Sequence, residues 1–169
     1  GGDGRSYNKT ESWDGTNWTE TTDLNTARAQ MTGFGLATAG LIAGGDLYPV
    51  TSPTRLSVQT ELWNGSSWTE VNDLNTGRRR IGRGGFGTHT SGLSAGGYTT
   101  TYVATTESWN GTSWTSNPTG LATARANLSP SGTGSQTSTL AAGGYNGPIL
   151  ATTEEWTGAS LATRTITVS

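Results

Sequence analysis

One motif recurs along this chain at a nearly fixed interval. Thr10-Glu11-Ser12-Trp13-Asp14-Gly15-Thr16-Asn17-Trp18 returns as Thr60-Glu61-Leu62-Trp63-Asn64-Gly65-Ser66-Ser67-Trp68, and again as Thr106-Glu107-Ser108-Trp109-Asn110-Gly111-Thr112-Ser113-Trp114. A worn copy, Thr153-Glu154-Glu155-Trp156-Thr157-Gly158, closes the series, and the leading tryptophans lie 50, 46 and 47 residues apart. A second signature follows each full copy: Asp23-Leu24-Asn25-Thr26-Ala27-Arg28, Asp73-Leu74-Asn75-Thr76-Gly77-Arg78 and Gly120-Leu121-Ala122-Thr123-Ala124-Arg125. Each repeat then runs through a Gly/Ser/Thr-rich stretch to a short apolar segment ending in a glycine pair, as in Leu41-Ile42-Ala43-Gly44-Gly45, Leu93-Ser94-Ala95-Gly96-Gly97 and Leu140-Ala141-Ala142-Gly143-Gly144. Gly1-Gly2 looks like the tail of another.

Each unit reads as four short strands. Asn-Gly between two tryptophan strands is expected to supply the positive φ values of a tight hairpin turn, making those strands antiparallel neighbours. Helical periodicity is absent. Periods of 40–50 residues with four strands each point to an all-β chain of the β-propeller type. Seven tryptophans among 26 glycines and many Thr, Ser and Asn residues argue against a disordered polar chain, because each offers a large area to bury.

The glycine pair, the later tryptophan and the boundary arginine together resemble the kelch repeat, over nearly the whole chain. The aromatic that often follows the glycine pair is present only as Tyr98 and Tyr145. The Thr-Glu-x-Trp-Asn-Gly-x-x-Trp form is similar to kelch-like arrays of phage virion and environmental bacterial surface proteins. The resemblance implies that the boundary arginine precedes the innermost strand of a blade and that the second tryptophan lies on the outermost. Residues 1–27 are then the outer half of a blade, 28–77 and 78–124 are two whole blades, and 125–169 is a terminal blade whose outer strand falls within Leu161–Ser169. The first blade lacks inner strands, an open edge that Arg164–Ser169, upstream sequence or another chain must complete. A fragment of a larger propeller, or an assembly, is favoured over a closed four-blade ring.

Composition narrows the function. Only 13% of residues are charged and the net charge is −2, which gives no general affinity for nucleic acid or anionic membrane. No apolar run reaches the length of a membrane span. With no cysteine, disulfides, thiolate metal sites and cysteine nucleophiles are excluded. His89 is the only histidine, so neither a metal centre nor a cofactor is expected. Kelch folds include copper radical oxidases, but that chemistry needs a cysteine cross-linked to tyrosine and more than one histidine.

Residues that recur in each copy read as scaffold. Trp13, Trp18, Trp63, Trp68, Trp109, Trp114 and Trp156 are expected between blades, with sugar stacking as the rival reading. Glu11, Glu61, Glu107 and Glu154 resemble catalytic acids of a glycosidase. Their equivalent positions on successive blades favour structural bonds instead, with Arg28, Arg78 and Arg125 as partners. No catalytic residue is assigned.

Residues that break the pattern are the better candidates for function. Arg78-Arg79-Arg80-Ile81-Gly82-Arg83 puts four arginines in six positions, where other boundaries have one. Arg79, Arg80 and Arg83 suit a carboxylate or phosphate held by forked hydrogen bonds. The loop Asp46–Arg55 is longer than its equivalents and carries Tyr48, Pro49 and Pro53, which stiffen a contact surface. The expected role is a non-enzymatic structural or attachment module, extracellular or on a virion surface. Its partners are other protein subunits, in a homo-oligomer or larger assembly, and a glycan receptor. A lectin-like module for glycans or acidic ligands is the alternative, and a polysaccharide-degrading enzyme the remote one.

Overall fold

A computed structural model describes residues 7–47, 55–82, 85–130 and 135–158 in full, and the backbone of 164–166. Tyr48 and Arg83, both singled out above, lie outside these residues. Among the described residues there are fourteen strands and no helix. The strands form four antiparallel sheets, none closed into a barrel.

The first sheet has two strands, β1 (Glu11–Trp13) and β2 (Trp18–Glu20). The second holds β3 (Thr32–Leu36), β4 (Ala39–Ala43), β5 (Thr60–Trp63) and β6 (Trp68–Val71) in chain order. The third repeats this with β7 (Phe86–Thr88), β8 (Ser91–Ala95), β9 (Thr106–Trp109) and β10 (Trp114–Ser116). The fourth holds β11 (Ser129–Pro130), β12 (Thr139–Ala142), β13 (Thr153–Trp156) and β14 (Arg164–Ile166). Arg164–Ile166 therefore pairs with β13 as the last strand of the fourth sheet, within the span expected for it, and does not complete the first sheet.

The tryptophan hairpins keep one register, with Trp13 opposite Trp18, Trp63 opposite Trp68 and Trp109 opposite Trp114. Their turns differ from the expected two-residue type. Four residues intervene, and only the glycine has positive φ, +100°, +96° and +94° at Gly15, Gly65 and Gly111. The residue before glycine acts through its side chain instead. Asn64 Oδ1 accepts the amides of Ser66 and Ser67 at 2.9 Å, and Asn110 Oδ1 those of Thr112 and Ser113. Asp14 accepts the same two bonds at 2.7 Å, and the amides of Asn17 and Thr16 hold its carboxyl below the ordinary range.

Period-two alternation buries both faces of the middle strands. Thr60 and Leu62 face the third sheet, while Glu61 and Trp63 face the first. One apolar core, between the second and third sheets, includes Leu41, Ala43, Ile81, Trp109 and Trp114. Another, between the third and fourth, includes Phe86, Leu93, Leu128, Ala141 and Trp156. Polar links also join the sheets: Trp68 Nε1 donates to Thr10 Oγ1 at 3.0 Å between the second and first, and Trp114 Nε1 to Thr60 Oγ1 at 2.9 Å between the third and second. Close approach also requires glycine. A Cβ on Gly92 would stand 2.3 Å from the Phe34 ring, which lies across the third sheet at that point.

Candidate functional site

Three of the four recurring carboxylates are locked into the scaffold. Glu61 Oε1 takes Arg28 Nη2 at 2.6 Å, while Oε2 takes the amide and side chain of Asn25 at 2.9 and 2.8 Å. Glu154 Oε1 takes Arg125 Nη2 at 2.7 Å and Oε2 takes the Ala122 amide at 2.6 Å. Glu107 Oε2 takes Asn75 twice at 2.8 Å. Its Oε1 stands 3.1 Å from Arg78 Nη2 without hydrogen-bond alignment, because that guanidinium donates to Thr105 and Ser94 instead. All six side chains are buried. Burial lowers the Arg28 and Arg78 guanidinium pKa against the opposing pull of Glu61 and Glu107, yet arginine begins so high that both stay charged. Carboxylates held this way bind their sheet to the loop before it.

At the turns that follow each boundary arginine, the sheets present a second recurring feature. Ala29 bridges Asp46, Arg79 bridges Tyr98, and Ala126 bridges Tyr145. Tyr98 also bridges Tyr102, and Tyr145 bridges Ile149. The Asn127 amide donates to Arg80 O, joining neighbouring turns. Gln30, Arg80 and Asn127, two residues after the boundary arginines, all have φ near +55° (58°, 54° and 53°). This left-handed kink belongs to the repeat and is no special strain at Arg80.

Among the described residues, the loops of the third and fourth sheets place tyrosines on this surface. Tyr98, Tyr102 and Tyr145 meet edge to face, with centroids 5.2 and 5.6 Å apart. The Arg79 and Arg80 guanidiniums lie over the Tyr98 ring at 5.4 and 5.7 Å. The four-arginine cluster read from sequence does not act as one positive patch. Arg78 is buried with Glu107, and Arg79 Nη1 is bonded to Asp46 at 3.0 Å. Of the described three, Arg80 alone carries a charge without a carboxylate against it. Tyr102 was not singled out from sequence, because nothing in its period marks it.

Asp46 is itself buried and held by Arg55 as well as Arg79. Burial alone would raise its carboxyl, but bonds from the two arginines outweigh that and hold it below 3.8. A carboxyl depressed by folding stabilises the fold above its unfolded value and loses that contribution as pH falls through the folded one. Asp46→Asn will therefore cost about 1–3 kcal/mol at pH 7. In acid titrations followed by circular dichroism, the gap from the unaltered protein will close below pH 3.8.

The first sheet differs most from its equivalents. Trp63, Trp109 and Trp156 are at most 9% exposed and donate their indole N–H to Ala37, His89 and Gln136 in the turn between the first two strands of their own sheets. The first sheet has no such strands among the described residues. Trp13 is 47% exposed and Trp18 65%. Glu11 is exposed and meets no arginine among the described residues. A groove of about 600 Å³ opens beside β1, walled by Trp13, Leu36, Ile42 and Trp63, with Gly33 and Gly40 at its floor. His89 is partly buried, and no group of His, Asp and Glu among the described residues is arranged to hold a metal.

No known family model matches the sequence, and neither does any curated protein. Among solved structures the chain is similar to the "Structure of YjhT", with a TM-score of 0.72 and 14% identity over 95% of this chain. The likeness is one of fold. The chain spans 52% of the length of that protein.

Proposed function

We propose that the four sheets are blades of a kelch-type β-propeller and that the chain is a non-enzymatic structural or attachment module of a virion or cell-surface assembly. The observation that carries this reading is the exposed tryptophan pair. Trp13 and Trp18 are 47% and 65% exposed beside an apolar groove, whereas Trp63, Trp109, Trp114 and Trp156 are buried and Trp68 is half-buried, and exposed apolar faces of this kind mark contact sites. The locked glutamates support the non-enzymatic half, since a buried carboxylate bound to arginine is a poor acid or base. The particle in solution is expected to be larger than the 17.5 kDa chain. Native mass spectrometry showing a stable monomer at all concentrations would count against assembly.

A second reading, binding of a glycan or acidic ligand, is favoured by one observation. The Arg80 guanidinium lies over Tyr98, whose ring meets Tyr102 and through it Tyr145, and stacking with charge is how proteins hold sugars and anions. On a glycan array, Arg80→Ala and Tyr102→Ala are expected to reduce binding at least about tenfold, the loss of one charge-assisted bond. An array with no binder sinks this reading and leaves the first intact.

A further inference from the structure

The dipeptide Asn-Gly occurs three times in this chain, at Asn64-Gly65, Asn110-Gly111 and Asn146-Gly147. A glycine leaves its backbone nitrogen unshielded by any side chain and free to turn toward the residue before it. Asparagine in front of glycine is therefore open to attack by the chain's own backbone, which converts its side-chain amide to a carboxylate. The three copies share this chemistry and differ in what the fold does with the asparagine.

In the two tryptophan hairpins the side chain is tied down. Asn64 Oδ1 accepts the amides of Ser66 and Ser67 and the Ser66 hydroxyl, each at 2.9 Å, and Asn64 Nδ2 donates to Ser67 Oγ at 3.2 Å. Asn110 Oδ1 accepts the amides of Thr112 and Ser113, also at 2.9 Å. Both side-chain carbonyls are thus held forward along the turn. Ring closure onto the glycine nitrogen must give up these bonds, and losing two of them slows the step at least about tenfold. Asp14-Gly15 occupies the same turn in the first sheet, where the carboxylate accepts the equivalent amides at 2.7 Å. A carboxylate therefore fits this turn, so the hairpins are protected by rate and not by an unstable product.

Asn146 has no such hold. It lies in a short loop whose ends are fixed by the bridge of Tyr145 to Ile149 and of Tyr145 to Ala126. Its backbone amide donates to Pro148 O at 3.3 Å, and among the described residues its side chain meets no hydrogen-bond partner. Gly147 and Pro148 are exposed, and a Cβ on Gly147 would meet nothing within 4 Å. A ring has room to form there, and water has access to open it.

We propose that Asn146-Gly147 is a self-modification site, converted to aspartate and isoaspartate in the folded protein while the hairpin asparagines are held back. The Gly147 nitrogen gives its proton to solvent base and bonds to Asn146 Cγ. The Cγ–Nδ2 bond breaks, and the amide nitrogen takes a proton from solvent and leaves as ammonia. The succinimide that remains takes up one water. Opening at Cγ gives aspartate with the original backbone, and opening at the backbone carbonyl gives isoaspartate. Either product places a negative charge beside Tyr145, on the surface where Asn127 donates to Arg80 O and Ala126 bridges Tyr145. The tyrosine surface thereby gains an acid that the gene does not encode.

Peptide mapping by mass spectrometry, on the whole chain kept folded at mildly alkaline pH, follows the three sites together. Amide loss at position 146 is expected at least about tenfold faster than at Asn64 or Asn110. Both products should appear there, with isoaspartate identified by labelling with an isoaspartyl methyltransferase. In urea the three rates should converge, because the fold alone distinguishes the sites. Equal rates in the folded chain, or faster loss at either hairpin, would overturn the proposal. So would an Asn146 that reacts in urea but not in the folded chain. Rates that stay unequal in urea would overturn it too, since the turn hydrogen bonds could not then be the cause.

Discussion

Arg28→Met will destabilise the protein by about 3–5 kcal/mol, because it leaves Glu61 buried without its cation. The pair is almost fully enclosed and bonded at 2.6 Å. Removing one member costs far more than the pair contributes, since the remaining charge cannot reach water. Arg28→Met combined with Glu61→Leu should recover most of the loss, as apolar replacement of a buried pair often does. Urea unfolding followed by tryptophan fluorescence distinguishes these outcomes. Glu11→Gln serves as the internal control. Glu11 occupies the equivalent position but is exposed, so its change should fall within about 0.5 kcal/mol of neutral. A large effect there would mean that Glu11 has a buried partner in the unaltered protein.

Trp109→Ala will cost about 3–5 kcal/mol, whereas Trp13→Ala at the equivalent position will cost under about 1 kcal/mol. Trp109 is wholly enclosed between the second and third sheets and donates to His89 O at 2.9 Å. Its loss opens a large cavity and leaves that carbonyl without its indole donor. Trp13 keeps only a tilted contact with Trp18 at 5.4 Å and is half exposed. Thermal unfolding of the two variants side by side reads the difference directly. Equal destabilisation would show that the first sheet is covered in solution.

What recurs in this sequence is legible, and what depends on a single copy is not. The glutamate–arginine locks follow from two residue types returning with one period, so their structural role can be read before their partners are known. The tryptophan hairpins are equally legible, down to the antiparallel pairing. Their turn type is not, because Asn-Gly supports both a two-residue turn and the four-residue loop in which Asn64 bonds forward to two amides. The Asn25 and Asn75 bonds to the glutamates are less legible, since the third copy has Ala122 in that place and binds Glu154 through its backbone amide, a donor that every residue carries. The arginine run misled in one respect. Charge counted along the chain says nothing of the buried Asp46, thirty-three residues away, that neutralises Arg79. Nor does local sequence reveal that Tyr98, Tyr102 and Tyr145 converge. That depends on loops of unequal length folding to one surface.

The locks also have a direction. Asn25 and Arg28 precede Glu61, Asn75 and Arg78 precede Glu107, and Ala122 and Arg125 precede Glu154. Every donor is therefore synthesised before the carboxylate it will meet. A nascent chain can close each sheet on material that has already left the ribosome, without holding an acid open for a partner still to come. The order of translation and the order of closure coincide, so this repeat can be lengthened at its carboxyl end one unit at a time without disturbing what has already folded.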